Sequence, residues 1–168
     1  PGSGLWGARC RSCPYVLAPV ALALASCGKI KDRLPASMVC PAREDGNEMG
    51  PLITGEHRDR VASYVAGAAG EGATVVVDGR EGARDDGFFL NPSLLDNVKP
   101  GMKTYGDEIC GPGRSVTRGA GDDEGLKLSN DNRCGNGTER VTGGGGAASR
   151  VEGDGQGGRD GRKGENPV

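Results

Sequence analysis

Large apolar side chains are scarce in this chain of 168 residues, and only six of its side chains are aromatic. Glycine, by contrast, occurs 32 times, where average usage is roughly 7%. Glycine brings no side chain to a core and loses much conformational freedom on folding, so this composition disfavours a large core. The length fits one ordinary domain or a piece of a larger protein, and it excludes a complete two-domain enzyme.

An excess of charge of one sign is also missing. The 21 basic and 23 acidic residues leave a formal charge of −2, which provides no field to steer nucleic acid or an anionic membrane. We therefore predict neither partner. The motif GxxxxGK[ST] is absent, and no glycine loop of the chain is expected to cradle a dinucleotide or a triphosphate.

The last third of the chain is especially poor in apolar residues. Between residues 111 and 168 there is no aromatic residue, and the large aliphatic side chains are Val116, Leu126, Leu128, Val141, Val151 and Val168. Six such side chains cannot offset the entropy of ordering the whole segment. We therefore divide the chain into a folded part, residues 1–142, and a glycine-rich tail, residues 143–168, that is expected to be disordered.

The cysteines do not form a recognisable disulfide or zinc pattern. The six are Cys10, Cys13, Cys27, Cys40, Cys110 and Cys134, with irregular spacing. This spacing favours reduced thiols in the cytoplasm, or in the mitochondrion of a eukaryote. Cys10-x-x-Cys13 lacks a second pair, and His57 is the chain's single histidine, so we predict no metal site.

The most apolar run, residues 14–28, allows two interpretations. Arg9 and Arg11 precede the run, and its end, Leu-Ala-Ser-Cys at Cys27, is similar to the lipid-attachment box of bacterial lipoproteins. This first interpretation predicts a lipid-anchored or secreted protein that is not an enzyme. The run is too short to span a bilayer. The other interpretation, which we favour, is a buried strand leading into a helix that Pro35 closes.

The middle of the chain predicts an α/β arrangement. Thr54 is placed to cap a helix with apolar residues at helical spacing and glycines after its end, namely Val61, Tyr64, Val65, Ala68, Ala69, Gly70 and Gly72. ATVVVDG then predicts a buried strand, and GFFLNP and SLLDNV predict two further strands or extended segments. A further helix through Leu126 and Leu128 is expected, capped by Asp122 or Asp123. Tyr64 and the valines are expected in the core, and His57 on the exposed face of its helix.

Two short motifs and the segment between them resemble the aldehyde dehydrogenase superfamily. GARC, ending at Cys10, is similar to its nucleophile motif, and EICGP, starting at Glu108, to its Glu-Ile-Phe-Gly-Pro cofactor motif. Residues 46–80, GFFL and CGNGT are similar to the coenzyme-A-acylating branch, the methylmalonate-semialdehyde dehydrogenases. The resemblance implies a partial catalytic domain of α/β class, with a mostly parallel sheet and flanking helices. It also implies oxidation of a semialdehyde with NAD, transfer of the acyl group to coenzyme A, and a homotetramer.

The resemblance also assigns roles to two residues. Cys10 would be the nucleophile, because a thiolate adds to an aldehyde, becomes a thioester after hydride transfer, and is then displaced by the thiol of coenzyme A. Arg9 is the neighbouring positive charge that would favour the Cys10 thiolate. Cys13 lacks the Gly-x-Arg sequence that precedes Cys10. Glu108 would bind the hydroxyls of the nicotinamide ribose, since a carboxylate only accepts hydrogen bonds. We expect both side chains to face one pocket.

The chain departs from the family pattern in ways that predict weak function. Cys110 replaces the Phe of the cofactor motif, which removes an aromatic wall beside the ribose, and Cys134 replaces an aromatic before GNGT. The family's cofactor-binding domain and oligomerisation elements have no counterpart here. We therefore expect a truncated or eroded enzyme with little activity alone. The alternatives are the lipid-anchored or secreted protein and a product without function.

Overall fold

A computed structural model describes residues 15–34, 37, 39–41, 43–132, 138–142, 154–155 and 160–164. Cys10, Cys13, Pro35 and Cys134 therefore lie outside the described residues. The chain divides into two compact units, Pro1–Arg118 and Gly119–Val168. This division differs from the compositional boundary at residue 142, which stays a prediction.

The first unit begins with the strand and helix predicted from the apolar run. Strand β1 (Tyr15–Pro19) leads directly into helix α1 (Val20–Arg33). Two basic residues, Lys31 and Arg33, lie in the last turn of α1, where positive charge is favourable beside the partial negative charge of a helix end. The fold therefore supports the strand-and-helix interpretation.

Helix α2 (Gly55–Ala68) confirms the most detailed prediction. The Thr54 hydroxyl accepts a hydrogen bond of 3.1 Å from the His57 backbone N–H, as an N-cap residue should. The buried residues of α2 are Val61, Val65 and Ala68, spaced as one helix face requires. Tyr64 is only half-buried and Ala69 is exposed, so the core face is narrower than predicted.

Strands β2 (Thr74–Val77), β3 (Ser93–Asp96) and β4 (Gly113–Gly119) build a sheet with β1 in the order β1-β4-β3-β2. Strands β3 and β4 are parallel, whereas β2 is antiparallel to β3 and slips in register between Val75 and Val77. All four residues of β3 are buried, as expected of a strand covered on both faces. GFFLNP does not form a strand, although its Phe88 carbonyl accepts a hydrogen bond of 2.8 Å from the Leu52 N–H.

Neighbouring residues of β3 belong to two separate hydrophobic clusters. Leu94 packs in the cluster of α1, with Ala23, Cys27, Leu34, Met49 and Val116. Leu95 packs in the cluster of α2, with Val65, Ala68, Ala73, Val98 and Tyr105. Successive side chains of a strand point to opposite faces, so α1 and α2 cover opposite sides of the sheet. This layering is the α/β class predicted from the sequence.

The second unit contains helix α4 (Asp122–Asp131), strand β5 (Thr138–Thr142) and strand β6 (Asp160–Gly164), and helix α3 (Lys103–Gly106) precedes β4 in the first unit. The predicted cap of α4 is wrong, because Gly121 is the N-cap residue and Asp122 and Asp123 lie in the first turn. The Glu124 carboxylate instead accepts a hydrogen bond from the Ala120 N–H at 2.6 Å.

Strand β6 lies inside the glycine-rich tail for which the sequence predicts disorder. It pairs with β5 in parallel over five residues, from Thr138 opposite Asp160 to Thr142 opposite Gly164. Such pairing joins backbone N–H and C=O groups and requires no apolar side chain. A strand can therefore form here without the valines that a buried strand needs.

Candidate cofactor-binding site

The EICGP motif lies in the connection between α3 and β4, which we call the 107–112 loop. Its first residue, Asp107, closes α3 by donating its backbone N–H to the Lys103 carbonyl at 2.9 Å. Its last residue, Pro112, is fully buried, and the Pro112 carbonyl accepts a 2.7 Å hydrogen bond from the Ser93 N–H of β3. The loop is thus fixed at both ends by elements of the first unit.

One face of α2 contacts this loop along three successive turns. The Tyr64 hydroxyl donates to the Asp107 carboxylate at 3.0 Å. Val61 packs so closely that a Cβ on Gly111 would lie 2.5 Å from its Cγ1 atom. His57 Nε2 lies 2.9 Å from the Cys110 carbonyl oxygen. His57, Val61 and Tyr64 follow the i, i+4, i+7 spacing, so they form one stripe on α2, which we call the loop-facing stripe.

The interpretation of His57 as a simple surface residue is therefore wrong. Its ring is half-buried, and in addition to the Cys110 carbonyl it contacts the Arg60 guanidinium, with Nη2 3.0 Å from Nδ1. The sequence did contain a signal for the position of His57, which lies one turn before Val61 on the helix face of Val61 and Tyr64, but none for its partner, Cys110. That signal was missed because a polar residue was assigned to the solvent face.

The backbone at Cys110 adopts an unusual conformation. Its φ of +51° lies in the left-handed region, where a non-glycine residue costs about 1–2 kcal/mol. Gly111 then makes a tight turn, in which the Gly113 N–H donates to the Gly111 carbonyl at 2.7 Å. The loop is held in this shape by its contacts with α2 and β3, which offset the local strain.

Glu108 is exposed and lies between the two loop residues that α2 holds, Asp107 and Cys110. Cys110, the residue that replaces the family's Phe, is also exposed. An exposed carboxylate on an anchored loop is of the chemistry that suits a ligand with a pair of neighbouring hydroxyls, because a carboxylate can accept two hydrogen bonds. The residues present are therefore compatible with the predicted binding of a ribose.

The predicted nucleophile, Cys10, lies outside the described residues, so its distance from Glu108 stays untested. Three thiols are described in the first unit: Cys110, which is exposed on the 107–112 loop, and Cys27 and Cys40, which are buried. The two buried thiols have unfavourable surroundings for a nucleophile. Burial, followed by the charge of Asp96, raises the pKa of the Cys27 thiol, and burial with the charge of Glu44 raises that of Cys40. A raised pKa leaves little thiolate near neutral pH, so neither has the character of a nucleophile.

The position of Cys27 also bears on the lipid-attachment interpretation. Cys27 lies inside α1 with 5% of its surface exposed and packs against Leu94 and Val116. A lipid-modified cysteine carries its acyl chains outside the fold, which this packing does not allow. Among the described residues, no helix combines the length and apolar content needed to cross a membrane, and no group of three metal-ligating side chains comes together.

An ion pair lies at the carboxyl ends of β3 and β4. Arg118 donates from Nε and Nη2 to the two carboxylate oxygens of Asp96, at 3.2 and 2.5 Å. The Asp96 side chain is 6% exposed and that of Arg118 22%. The hydrogen bond from Arg118 to Asp96 raises the already high pKa of the guanidinium. The pair joins two parallel neighbouring strands just beyond the segment where their register is fixed.

Comparison with known proteins places these observations in context. The methylmalonate-semialdehyde/malonate-semialdehyde dehydrogenase (acylating, mitochondrial) of Rattus norvegicus is 39% identical over 102 residues, which cover 59% of this chain. The crystal structure of methylmalonate-semialdehyde dehydrogenase from Oceanimonas doudoroffii superposes with a TM-score of 0.91 at 34% identity, over 96% of this chain. Betaine aldehyde dehydrogenase from Staphylococcus aureus in complex with NAD+ gives a TM-score of 0.89 at 27% identity, over 99% of this chain.

The likeness to these proteins is strong but covers only part of each. The matched region is 19% of the rat protein and 34% of each of the two solved chains. The family model for the aldehyde dehydrogenase family matches residues 3–158, and the chain therefore belongs to that family of oxidoreductases.

Proposed function

We propose that the chain is part of the catalytic domain of an NAD-dependent, coenzyme-A-acylating (methyl)malonate-semialdehyde dehydrogenase. Its Cys10 is the nucleophile and its Glu108 binds the nicotinamide ribose. The observation that supports this most is the anchored 107–112 loop, which presents an exposed carboxylate within the family's cofactor motif. Two of the similar proteins, the acylating rat dehydrogenase and the betaine aldehyde dehydrogenase in complex with NAD+, support the same choice.

The chemistry follows from the properties of a thiolate. The Cys10 sulfur adds to the aldehyde carbon, and the resulting alkoxide is a thiohemiacetal. NAD+, when bound, accepts the hydride that leaves this carbon, so the thiohemiacetal is oxidised to a thioester. The thiolate of coenzyme A then attacks the thioester carbonyl, forms acyl-coenzyme A and releases Cys10 as a thiolate. The proposed task of Glu108 is to fix the ribose so that the hydride acceptor lies beside Cys10.

The partial length of the chain sets its expected activity. Because the matched region is about a third of the solved relatives, most of the walls that surround substrate and cofactor in those proteins are not built by these residues. We therefore propose that this chain alone turns over slowly or not at all. It is expected in the cytoplasm, or in the mitochondrion as for the rat relative.

Binding of NAD+ to the purified chain tests the proposal directly. Saturation-transfer NMR should show contacts from the protein to the nicotinamide ribose protons, and Glu108→Ala should weaken binding by about tenfold or more, the effect of losing hydrogen bonds to a charged group. Glu81→Ala, which removes another exposed carboxylate of the same unit, serves as the matched control and should change nothing. Equal binding by the wild type and Glu108→Ala would contradict the role of Glu108.

A turnover measurement tests the remaining part of the proposal. The wild-type chain is mixed with malonate semialdehyde, NAD+ and coenzyme A, and formation of NADH is followed at 340 nm. We expect a rate far below the 1–10³ per second that is typical of enzymes. A rate within that range would show that these residues suffice for catalysis, and that the chain is not an inactive piece.

A further inference from the structure

We infer that His57 is a positioning residue for Glu108, acting through the backbone of Cys110. The inference rests on the proposed function, since it assigns His57 to the loop that carries the cofactor-binding carboxylate. His57 itself lies on α2, and its ring contacts Cys110 and Arg60. It is therefore not a catalytic residue.

The two contacts of the His57 ring determine where its proton lies. A guanidinium only donates hydrogen bonds, so Arg60 must donate to Nδ1, which has to be unprotonated. The Cys110 carbonyl oxygen only accepts, so Nε2 must carry the hydrogen and donate to it. One neutral tautomer satisfies both contacts. Arg60, three residues along the same helix, thus selects the tautomer that donates to the loop.

The loop needs such a donor because of its backbone conformation. Cys110 is held at a φ of +51°, a region that non-glycine residues leave readily unless their surroundings hold them. The hydrogen bond from His57 holds the carbonyl of Cys110. The close contact with Val61 holds the next residue, Gly111. On the other side of Glu108, the Tyr64 hydroxyl donates a hydrogen bond to the Asp107 carboxylate. Two hydrogen bonds from one helix therefore hold the loop on both sides of Glu108.

The single histidine of the chain makes the tautomer measurable. In the ¹⁵N spectrum of uniformly labelled wild-type protein at pH 8, we expect the signature of a ring protonated at Nε2 alone. In Arg60→Leu only the Cys110 carbonyl still favours the hydrogen on Nε2, so we expect this tautomer to remain the major one, with some of the Nδ1-protonated form beside it. A wild-type ring protonated at Nδ1 would overturn the inference, because Nε2 would have no hydrogen to donate.

Hydrogen exchange and NAD+ titration then test positioning. In His57→Leu, the amides of residues 107–113 should exchange about tenfold faster, and NAD+ should bind about fivefold more weakly, the effect of one lost hydrogen bond. His57→Gln retains an N–H donor and should remain close to wild type in both measurements. Arg58→Leu, which removes only the neighbouring Arg58–Asp59 ion pair, is the matched control and should affect neither. Far-UV circular dichroism establishes that all variants retain α2.

The outcomes separate this inference from the proposed function. If His57→Leu leaves loop exchange and NAD+ affinity unchanged, the positioning role is wrong, whatever the wild type binds. If the wild type does not bind NAD+ but His57→Leu accelerates loop exchange, the proposed function fails and the part of His57 in holding the loop stands. If His57→Leu and His57→Gln are equally impaired in a folded protein, the hydrogen bond is not the cause, and the inference is wrong.

Discussion

The two units of the chain illustrate two ways of forming secondary structure. In Pro1–Arg118, helices α1 and α2 each bury apolar side chains against one face of β3, whose four residues are all inaccessible. In Gly119–Val168, helix α4 has no buried residue, and its Leu126 and Leu128 are half-buried. The described strands of this second unit are paired through their backbones. The first unit is thus stabilised by packing, whereas α4 of the second unit buries none of its side chains.

This difference predicts that equivalent substitutions have unequal effects in the two units. A core side chain loses both its burial and its close contacts when truncated, whereas a half-buried side chain loses only a fraction of either. Ion pairs and glycines should show the same contrast. Three pairs of substitutions and one pH titration test this contrast, from the largest expected effect to the smallest.

The largest effect is expected from truncating the leucine at the centre of the sheet. Leu94 is 0% exposed, so Leu94→Ala should lower the free energy of unfolding by about 2–5 kcal/mol. Leu126→Ala in α4 should cost less than about 1 kcal/mol, because the side chain is only half-buried. Hydrogen exchange of peptides from each unit, measured over increasing urea, reports both values. Equal losses of unfolding free energy would contradict the contrast between the packed core of the first unit and helix α4, which buries none of its side chains.

A second contrast concerns ion pairs. Removing the buried partner in Asp96→Ala leaves the Arg118 guanidinium uncompensated, and we expect a loss of about 2–4 kcal/mol. In α4, Lys127 and Asp131 form an exposed pair one turn apart, so Asp131→Ala should cost about 0.3–0.5 kcal/mol. Raising the salt concentration should remove the effect of Asp131→Ala and leave most of the effect of Asp96→Ala. A salt-sensitive Asp96 variant would show that this pair is solvated.

The glycines Gly111 and Gly125 should respond to alanine with opposite signs. A Cβ on Gly111 would lie 2.5 and 2.6 Å from the two methyl groups of Val61, so Gly111→Ala should destabilise the first unit by about 1–3 kcal/mol. Gly125 lies within α4 with nothing within 4 Å of its Cβ position. Gly125→Ala should therefore stabilise that helix by about 0.5–1 kcal/mol.

Two results would contradict this expectation. A neutral Gly111→Ala would mean that Val61 withdraws easily, and that the loop-facing stripe does not hold the 107–112 loop tightly. A destabilising Gly125→Ala would mean that the helix position is not open. Gly113→Ala, where a Cβ meets nothing within 4 Å, is the control for adding a methyl group next to the same loop.

The smallest effect is a loss of stability at alkaline pH that is confined to the first unit. The folded state raises the pKa of the Cys27 thiol by burial and by the charge of Asp96. Above the unfolded value of about 8.5, the unfolded chain releases this proton first, so stability is complete below that pH and declines as the pH rises through the folded pKa. Cys27→Ala should flatten this decline in urea titrations between pH 8 and 10. An unchanged slope would assign the decline to other groups.

Much of the first unit was predictable because its residues follow simple local rules. The spacing of Val61, Val65 and Ala68 and the cap at Thr54 predicted α2 within a residue or two, since the buried face and the first turn both depend on sequence separation alone. The apolar run likewise predicted β1 and α1. GFFLNP was less informative, because Phe89 and Leu90 are buried in an irregular segment, and burial by itself does not specify a strand.

The sequence indicated the motif of the candidate site, but it did not indicate the contacts of α2 that hold the loop carrying it. The resemblance identified Glu108 as a candidate, and the structure gives that residue an exposed position on an anchored loop. The contact of His57 with Cys110 spans 53 positions of sequence, and no local pattern specifies a partner at that distance. The cap of α4 was missed for a different reason, because Gly121 supplies only its backbone and leaves no side-chain signal.

The parallel pairing of β5 with β6 has a consequence for how this family tolerates change. Its partners along the ladder include glycines opposite Glu139 and Thr142, and the hydrogen bonds of such a ladder join main-chain groups whatever the side chains are. Successive mutations in such a segment can replace apolar residues by Arg, Lys or Asp and still preserve the topology. A change of side chains there need not change the pairing of the two strands.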